Sequence, residues 1–425
     1  MMPRVSGALS VAATAAFVSG LVLAQAAPKQ IVKPPIAKAW IDVATFSGMS
    51  MGMGGADMMN QTLGAAMGGG KGGAKAEFGY TEHGPGGRWM DVTLYTSRNT
   101  KLTEALQSVP AGTGLAPTLK LQTPEKPKPT PKSDDEPAEW DYQKPKGKLV
   151  MYWGCSKTVR PGQPKVVDLS TATVRDMAKF FESRRATQRG AHAAAGRPVW
   201  PSRQDKRALG ERASIVGEHA FVATGVPESF KFKIPAAQDI MAPMKIEQQD
   251  AGGSRVFEWE AVPHARAYFL GTMGPLPGGK EGIVIWTSSE LPDSGFGLFD
   301  YQTNTAVDKW LKEKVLLKPS TTQCAAPQEA AAEGAMLRAI AYGTELNLAS
   351  PPRPKDPKIA WEPEWSVKIR VKSMSTTIVG MPGMDDMPSI DEEPTDTGEA
   401  PPEAEPDTGR RKRFNPFDGV KPSRP

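Results

Sequence analysis

Sulfur is the first chemistry this sequence offers. Met49, Met51, Met53, Met58, Met59 and Met67 fall in one Gly-rich tract, and Met381, Met384 and Met387 recur at i, i+3 spacing in MPGMDDM. Thioethers are soft, uncharged at any pH and not consumed by disulfide formation, so clustered methionines are a workable ligand set for Cu(I) or Ag(I). The same adaptable side chains also suit a flexible apolar contact loop or sacrificial oxidation. The contact loop is the preferred reading, because neither tract contains a histidine and the nearest is His83. Cys155 and Cys324 complete the inventory. A nucleophilic thiol needs a nearby base and an electropositive setting, and no Cys/His family pattern is present, so the expectation is a disulfide between the two. On the chain-entropy model, closing a loop of that length contributes up to about 5 kcal/mol.

Other candidate chemistry is thinner. Glu258 and Glu260 flank Trp259, and strand period would put both on one face about 7 Å apart, near the carboxylate separation of inverting glycosidases; a solvent-facing pair is the preferred reading. His83, His192, His219 and His264 are scattered without a zinc-type grouping. No G-x-S-x-G elbow occurs, and GGGKGG at 68–73 fails as a phosphate loop because Gly72 replaces the required Ser or Thr. Residues 182–212 carry eight cations (Arg184, Arg185, Arg189, Arg197, Arg203, Lys206, Arg207, Arg212) against Glu182, Asp205 and Glu211. That stretch could meet lipid phosphates or an acidic partner, or simply be solvated. The methionine tracts resemble the methionine motifs of periplasmic copper-handling proteins, which implies copper as the alternative cofactor.

The compartment is read from the start of the chain. Arg4, an apolar run from Val5 to about Leu23 and small residues after it have the pattern of an export signal, with cleavage expected near Gln25 or Ala27. The expected localisation is periplasmic or extracellular, where disulfides persist and ATP, nicotinamide cofactors and genomic nucleic acid are not ordinary partners. No later segment approaches transmembrane length. Gly 42 and Pro 40 in 425 residues fit folded blocks joined by flexible ones, and a formal charge of +5 is too small over this length to imply a polyanion partner by itself.

The flexible blocks are expected at 48–76, at the Pro/Lys/Glu stretch 117–148, and in the tail, where ten Asp or Glu between Asp385 and Asp407 precede RRKR at 410–413. Period-two alternation predicts strands at 39–46, 88–96, 148–155, 164–169 and 214–224. AWIDVATF and RWMDVTLYT resemble each other, so the Met/Gly tract reads as an insertion between neighbouring strands. A helix is expected at 171–185, capped by Ser170 or Thr171, with Val174, Met177, Ala178 and Phe181 on one face.

In RVFEWEAVPHARAYFLGTMG (255–274), Phe257, Trp259 and Ala261 share a face of one strand and Tyr268 and Leu270 a face of the next. The run Trp259-x-x-Val262-x-x-Ala265-x-x-Tyr268 resembles the B-to-C strand segment of fibronectin type III-like sandwich domains, and AMLRAIAYG (335–343) is similar to a later central strand of that family. WSVKIRVKS (365–373) would close the sheet, with Val367, Ile369 and Val371 alternating against Lys368, Arg370 and Lys372. The resemblance implies an Ig-like sandwich over 225–375, interrupted by a helix at 305–317. The expected layout is a signal peptide (1–26), a β-rich region with one helix (27–224), the sandwich (225–375) and a tail (376–425), mainly β throughout. The expected role is a non-catalytic binding or structural protein of the cell envelope. Its partner would be an envelope protein or polymer, with an anionic surface met through 182–212 or 410–413.

Overall fold

Alternating apolar and polar residues around aromatic and β-branched side chains favour extended backbone, and the strands form where that pattern is clearest. In a computed structural model that describes residues 30–48, 78–124, 146–202, 205 and 207–381, the first two strands are β1 (Ala37–Gly48) and β2 (Gly87–Thr96). They pair antiparallel with Asp42 opposite Asp91, and the Met/Gly tract is indeed the connection between neighbours. The short helix α1 (Tyr80–His83) precedes β2. Then come β3 (Glu104–Ser108), β4 (Thr118–Gln122), β5 (Lys148–Trp153), β6 (Lys165–Asp168), helix α2 (Val174–Phe180), β7 (Val199–Trp200), β8 (Gly217–Val222) and β9 (Lys231–Ile234). The remainder is β10 (Ile246–Asp250), β11 (Ser254–Trp259), β12 (Ala267–Pro275), β13 (Gly282–Thr287), helix α3 (Asn304–Lys312), β14 (Gln323–Pro327), β15 (Met336–Tyr342), β16 (Leu346–Ser350) and β17 (Trp365–Ile378). The signal segment, the six tract methionines, Met384, Met387, Arg203, Lys206, residues 125–145 and the tail beyond 381 lie outside the described residues.

The protein is mainly β. One mixed sheet runs in the order β6-β5-β13-β12-β15-β17-β1-β2-β7-β4-β3-β8-β9, with β16 also paired to β17. A second sheet has the order β10-β11-β14 and faces the β13-β12-β15 part of the first, where Phe257 meets Trp286 at 5.7 Å and Trp259 meets Tyr268 at 5.5 Å. Trp259 and Tyr268 therefore share one buried core between two sheets, as expected. Two joins are parallel. β17 runs beside β1 from Trp365 opposite Ala37 to Thr376 opposite Gly48, and β13 runs beside β5 from Gly282 opposite Lys148 to Thr287 opposite Trp153. Strands from before residue 225 thus flank the β13-β12-β15-β17 part of the sheet on both sides, and the β8–β9 hairpin itself spans that residue. At the far end, Phe230 just before β9 stacks on Trp365 of β17 with centroids 4.8 Å apart.

Several elements differ from the sequence reading. Within the stretch expected as a linker, Leu119 and Leu121 are fully buried while Thr118 and Lys120 face water, so β4 obeys period two inside Pro/Lys-rich surroundings. Helix α2 is shorter than expected. Its cap is Thr173, whose side chain and that of Asp176 form a capping box, and Phe180 is buried while Val174 is 88% exposed. β11 ends at Trp259, so Ala261 is exposed and Val262 takes the inward place, its N–H donating to the Tyr268 hydroxyl at 2.8 Å. α3 stops at Lys312, and Leu317 pairs its backbone with Tyr268 instead.

Cys155 and Cys324 are disulfide-bonded, as expected. The bond joins Cys155, two residues past β5, to Cys324 in β14 of the facing sheet. Around it, Ser156 N–H donates to Ala325 O at 2.8 Å, and Arg160 pairs with Glu290.

Candidate functional site

The alternation of β1 sends Ile41 and Val43 into the core and Asp42 to the opposite face; in β17, Ile369 and Val371 go inward and Arg370 and Lys372 opposite. The sequence reading makes this a strand that closes the sheet, with Lys368, Arg370 and Lys372 alternating against its apolar series. Instead Arg370 is 6% exposed and Lys372 1%, because β17 is an interior strand and two segments cover its outer face: a strap of residues 181–202 and the loop 289–303. The register sets Asp42 beside Arg370, and the pair is bidentate, with Nε to Oδ1 and Nη2 to Oδ2 both at 2.6 Å. Ala191 N–H of the strap adds a third bond to Oδ2 at 2.8 Å, and Arg370 Nη1 donates to Thr187 Oγ1 and Gln188 O. Gly190 is required here: a Cβ would lie 1.7 Å from Arg370 Nη2.

From the other side, the Tyr301 ring lies 4.2 Å from the Arg370 guanidinium and 4.4 Å from Lys372 Nζ, and its hydroxyl donates to Val43 O. Asp300 sits 3.7 Å from Lys372. Burial alone would lower the Arg370 pKa, but the Asp42 carboxylate outweighs it and holds it above its ordinary value. Burial pulls the Lys372 pKa down, against Asp300. Asp42 accepts three N–H donors, two from Arg370 and one from the strap, so what the pair does is hold the strap to the sheet.

Asp91, opposite Asp42, has no cation partner among the described residues. It accepts from Thr81 N–H at 2.8 Å, Thr81 Oγ1–H at 2.6 Å and Gly79 N–H at 3.1 Å, which ties the segment entering α1 to β2. Burial raises its pKa to about 6 against those hydrogen bonds, with Asp42 adding to the rise.

On its outer side the strap presents charge. Arg185 and Arg189 are exposed, and Arg197 lies between the rings of Trp40 and Tyr95, 5.3 and 5.0 Å from their centroids. His192 Nδ1 lies 2.7 Å from Gly190 O and so carries the hydrogen, which leaves Nε2 to accept from Arg197 Nη1 at 2.5 Å. Burial, then Arg197 and Arg189, lower the His192 pKa. Arg184 is the inward exception, bound to Asp293 at 2.9 Å.

The remaining sequence candidates are not brought together. Glu258 accepts from Gln249 and Gln323 on the three-stranded sheet, while Glu260 is exposed beyond the end of β11. His219 is a core histidine stacked on Phe232, with Nε2 donating to Ile215 O at 2.8 Å. Met381 is described and 54% exposed. No group of three or more His, Cys, Asp or Glu that could hold a metal occurs among the described residues, and no helix among them is long and apolar enough to cross a membrane. The Asp42–Arg370 pair was missed because 328 residues separate its members; the available signal was a charge inside each of two strongly apolar strands. No protein-family model matches the chain, and no curated protein is significantly similar to it.

Proposed function

We propose that this is an exported cell-envelope protein that works by binding, with the strap of residues 181–202 as its contact surface for an anionic partner. The observation that carries the reading is the strap itself. A buried ion pair fixes its inner side, while Arg185 and Arg189 are exposed and the half-buried Arg197 rests on the Trp40 and Tyr95 rings. A cation over an aromatic face with a half-desolvated guanidinium suits carboxylate or phosphate groups on a polymer or protein. The disulfide supports an oxidising compartment. The strand order β10-β11-β14 against β13-β12-β15-β17, with Trp259 on Tyr268, supports reading 246–378 as a fibronectin type III-like sandwich, an architecture that serves many binding roles.

The test is capture from envelope extract by the full chain and by an Arg185→Glu/Arg189→Glu variant, with cell fractionation alongside. Partners recovered with the native chain and lost with the variant support the reading. Equal recovery, or a cytoplasmic chain with free thiols, contradicts it.

A second reading, Cu(I) or Ag(I) binding by the methionines, has one observation in its favour. Because β1 and β17 are parallel with Gly48 opposite Thr376, the chain leaves the sheet towards Met49, Met51 and Met53 beside the strand that leads to Met381. Competition of the reduced protein against a Cu(I) chelator, with a variant carrying Leu at Met49, Met51, Met53, Met58, Met59 and Met67, tests it. Equal copper uptake by both proteins removes this reading.

A further inference from the structure

Arg197 is parked. Its guanidinium lies between the rings of Trp40 on β1 and Tyr95 on β2, with Nη1 directed at His192 Nε2. The backbone around it is fixed on both sides. Arg197 N–H donates to Ala194 O at 3.1 Å, and Pro198 O accepts from Leu94 N–H at 3.2 Å. Gly196 lies so close to Thr100 that a Cβ there would come within 1.9 Å of its carbonyl oxygen. If Arg197 moves, its side chain alone must move.

The protonation state of His192 follows from its partners. A guanidinium only donates, so Nε2 must be bare, and Nδ1 must carry the hydrogen because it faces the carbonyl of Gly190. The ring is held in that orientation by a T-shaped contact with Trp40 at 5.5 Å, and His192 N–H donates to Thr93 Oγ1 at 3.0 Å. The arrangement admits neutral imidazole only. A proton on Nε2 would set one N–H against another and bring two positive charges together with no acceptor between them.

The charged groups bearing on the ring come from three sides. Arg197 and Arg189 belong to the strap, and Asp42 of β1 is already engaged by Arg370. On β2 the ring meets Thr93, while Tyr95 faces Arg197; on β17, Lys368 is turned to Glu345 and Gln188. Burial first, then the two arginines, hold the His192 pKa below its ordinary value against Gly190 O and Asp42. Protonation therefore belongs to mildly acid solution.

We propose that His192 is a pH gate for Arg197: neutral, it parks the guanidinium on Trp40 and Tyr95; protonated on Nε2, it expels the guanidinium, and Arg197 turns outward to join Arg185 and Arg189. The strap then carries two more free cationic groups, Arg197 and the imidazolium. Through the strap reading, on which this consequence rests, acid strengthens the hold on an anionic polymer.

The experiment follows two NMR signals of the full-length protein from about pH 8 to about pH 5: the His192 Cε1–H shift, and the Arg197 Hδ shift, which the flanking rings displace upfield while the side chain is parked. Both should move with one midpoint. In Arg197→Met the His192 pKa should rise by about half a unit. In His192→Gln, which offers an acceptor that does not titrate, Arg197 should stay upfield throughout. The ratio of polyglutamate affinity at about pH 5.5 to that at about pH 7.5 should be about twofold to fivefold larger for the native chain than for His192→Gln, the weight of one exposed ion pair. An Arg197 signal that stays upfield while His192 titrates, a transition that survives in His192→Gln, or a His192 pKa unmoved in Arg197→Met would each overturn the gate; the last decides if His192→Gln fails to fold. Polyglutamate binding that Arg185→Glu/Arg189→Glu abolishes, but whose pH ratio is the same in native and His192→Gln chains, overturns the link to binding. If that double variant binds polyglutamate as well as the native chain while Arg197 is still released with His192, the strap reading falls and the gate stands.

Discussion

The β13-β12-β15-β17 part of the large sheet is extended at both edges by strands from the first half of the chain, but the two joins are secured by different means. At the β17 edge, β1 pairs along its whole length, and a buried bidentate ion pair, Asp42–Arg370, sits in the middle of the seam. At the β13 edge, β5 pairs over six residues, and a covalent bond from Cys155 to Cys324 closes the end. The long seam has neighbours on both sides and both faces covered, so a one-residue slip would bury Ile41 where Asp42 belongs; a charge pair there penalises every wrong register. The short seam lies one strand from the end of the sheet, where little area resists fraying, and a cross-link supplies what pairing does not.

Breaking the charge seam should have the largest effect. Asp42→Ala strands the Arg370 cation under the strap and should cost about 3–5 kcal/mol in denaturant unfolding, the usual range for removing one partner of a buried pair. Asp42→Leu with Arg370→Met should recover most of that loss, yet release the strap, so trypsin should cut between Arg184 and Arg197 faster than in the native protein.

Trp259→Ala probes the core between the seams and should cost roughly 3–5 kcal/mol, as expected for deleting a large buried aromatic. A loss below about 1 kcal/mol would mean that the β11–β12 contact does not hold the two sheets together. Replacing both Cys155 and Cys324 by Ser should then cost about 2–5 kcal/mol, with amides of β5 and β6 losing exchange protection before those of β1.

The smallest effect is a pH dependence. Asp91 has a folded pKa of about 6, above its ordinary 3.8, chiefly through burial. The folded state therefore binds its proton more tightly than the unfolded chain. Stability from this group is full below about pH 4, falls as pH rises towards 6, and is flat above, a loss of roughly 3 kcal/mol at one pKa unit per 1.36 kcal/mol. The unfolding free energy of the native chain minus that of Asp91→Asn should show that slope between pH 4 and 6; a flat difference would mean that Asp91 is hydrated.

Strands with unbroken alternation were legible in the sequence. β1, β2, β11, β12 and β17 all lie where the pattern placed them, a strand lies at 336–342 where the resemblance implied one, and the disulfide expected from the two cysteines is present. β4 was hidden by its Pro/Lys-rich flanks, and GIVIWT of β13 by its continuous apolar run, which carries no period. The covering of β17's outer face was not legible for a different reason. Lys368, Arg370 and Lys372 look like a solvated edge until a strap from nearly two hundred residues earlier and the Asp300–Tyr301 loop are laid across them. Local pattern reports that a face is polar; only tertiary structure reports that it is covered.

The central claim is that the strands on either side of residue 225 make one sheet and one cooperative unit. Native-state hydrogen exchange of the oxidised full-length protein tests it most directly. The account predicts that the slowest amides of β1 and β5 exchange with the same opening free energy as those of β12, β15 and β17, so that all vanish together in a single global event. A sandwich whose amides stay protected after those of β1 and β5 have exchanged through a lower-energy opening would contradict it.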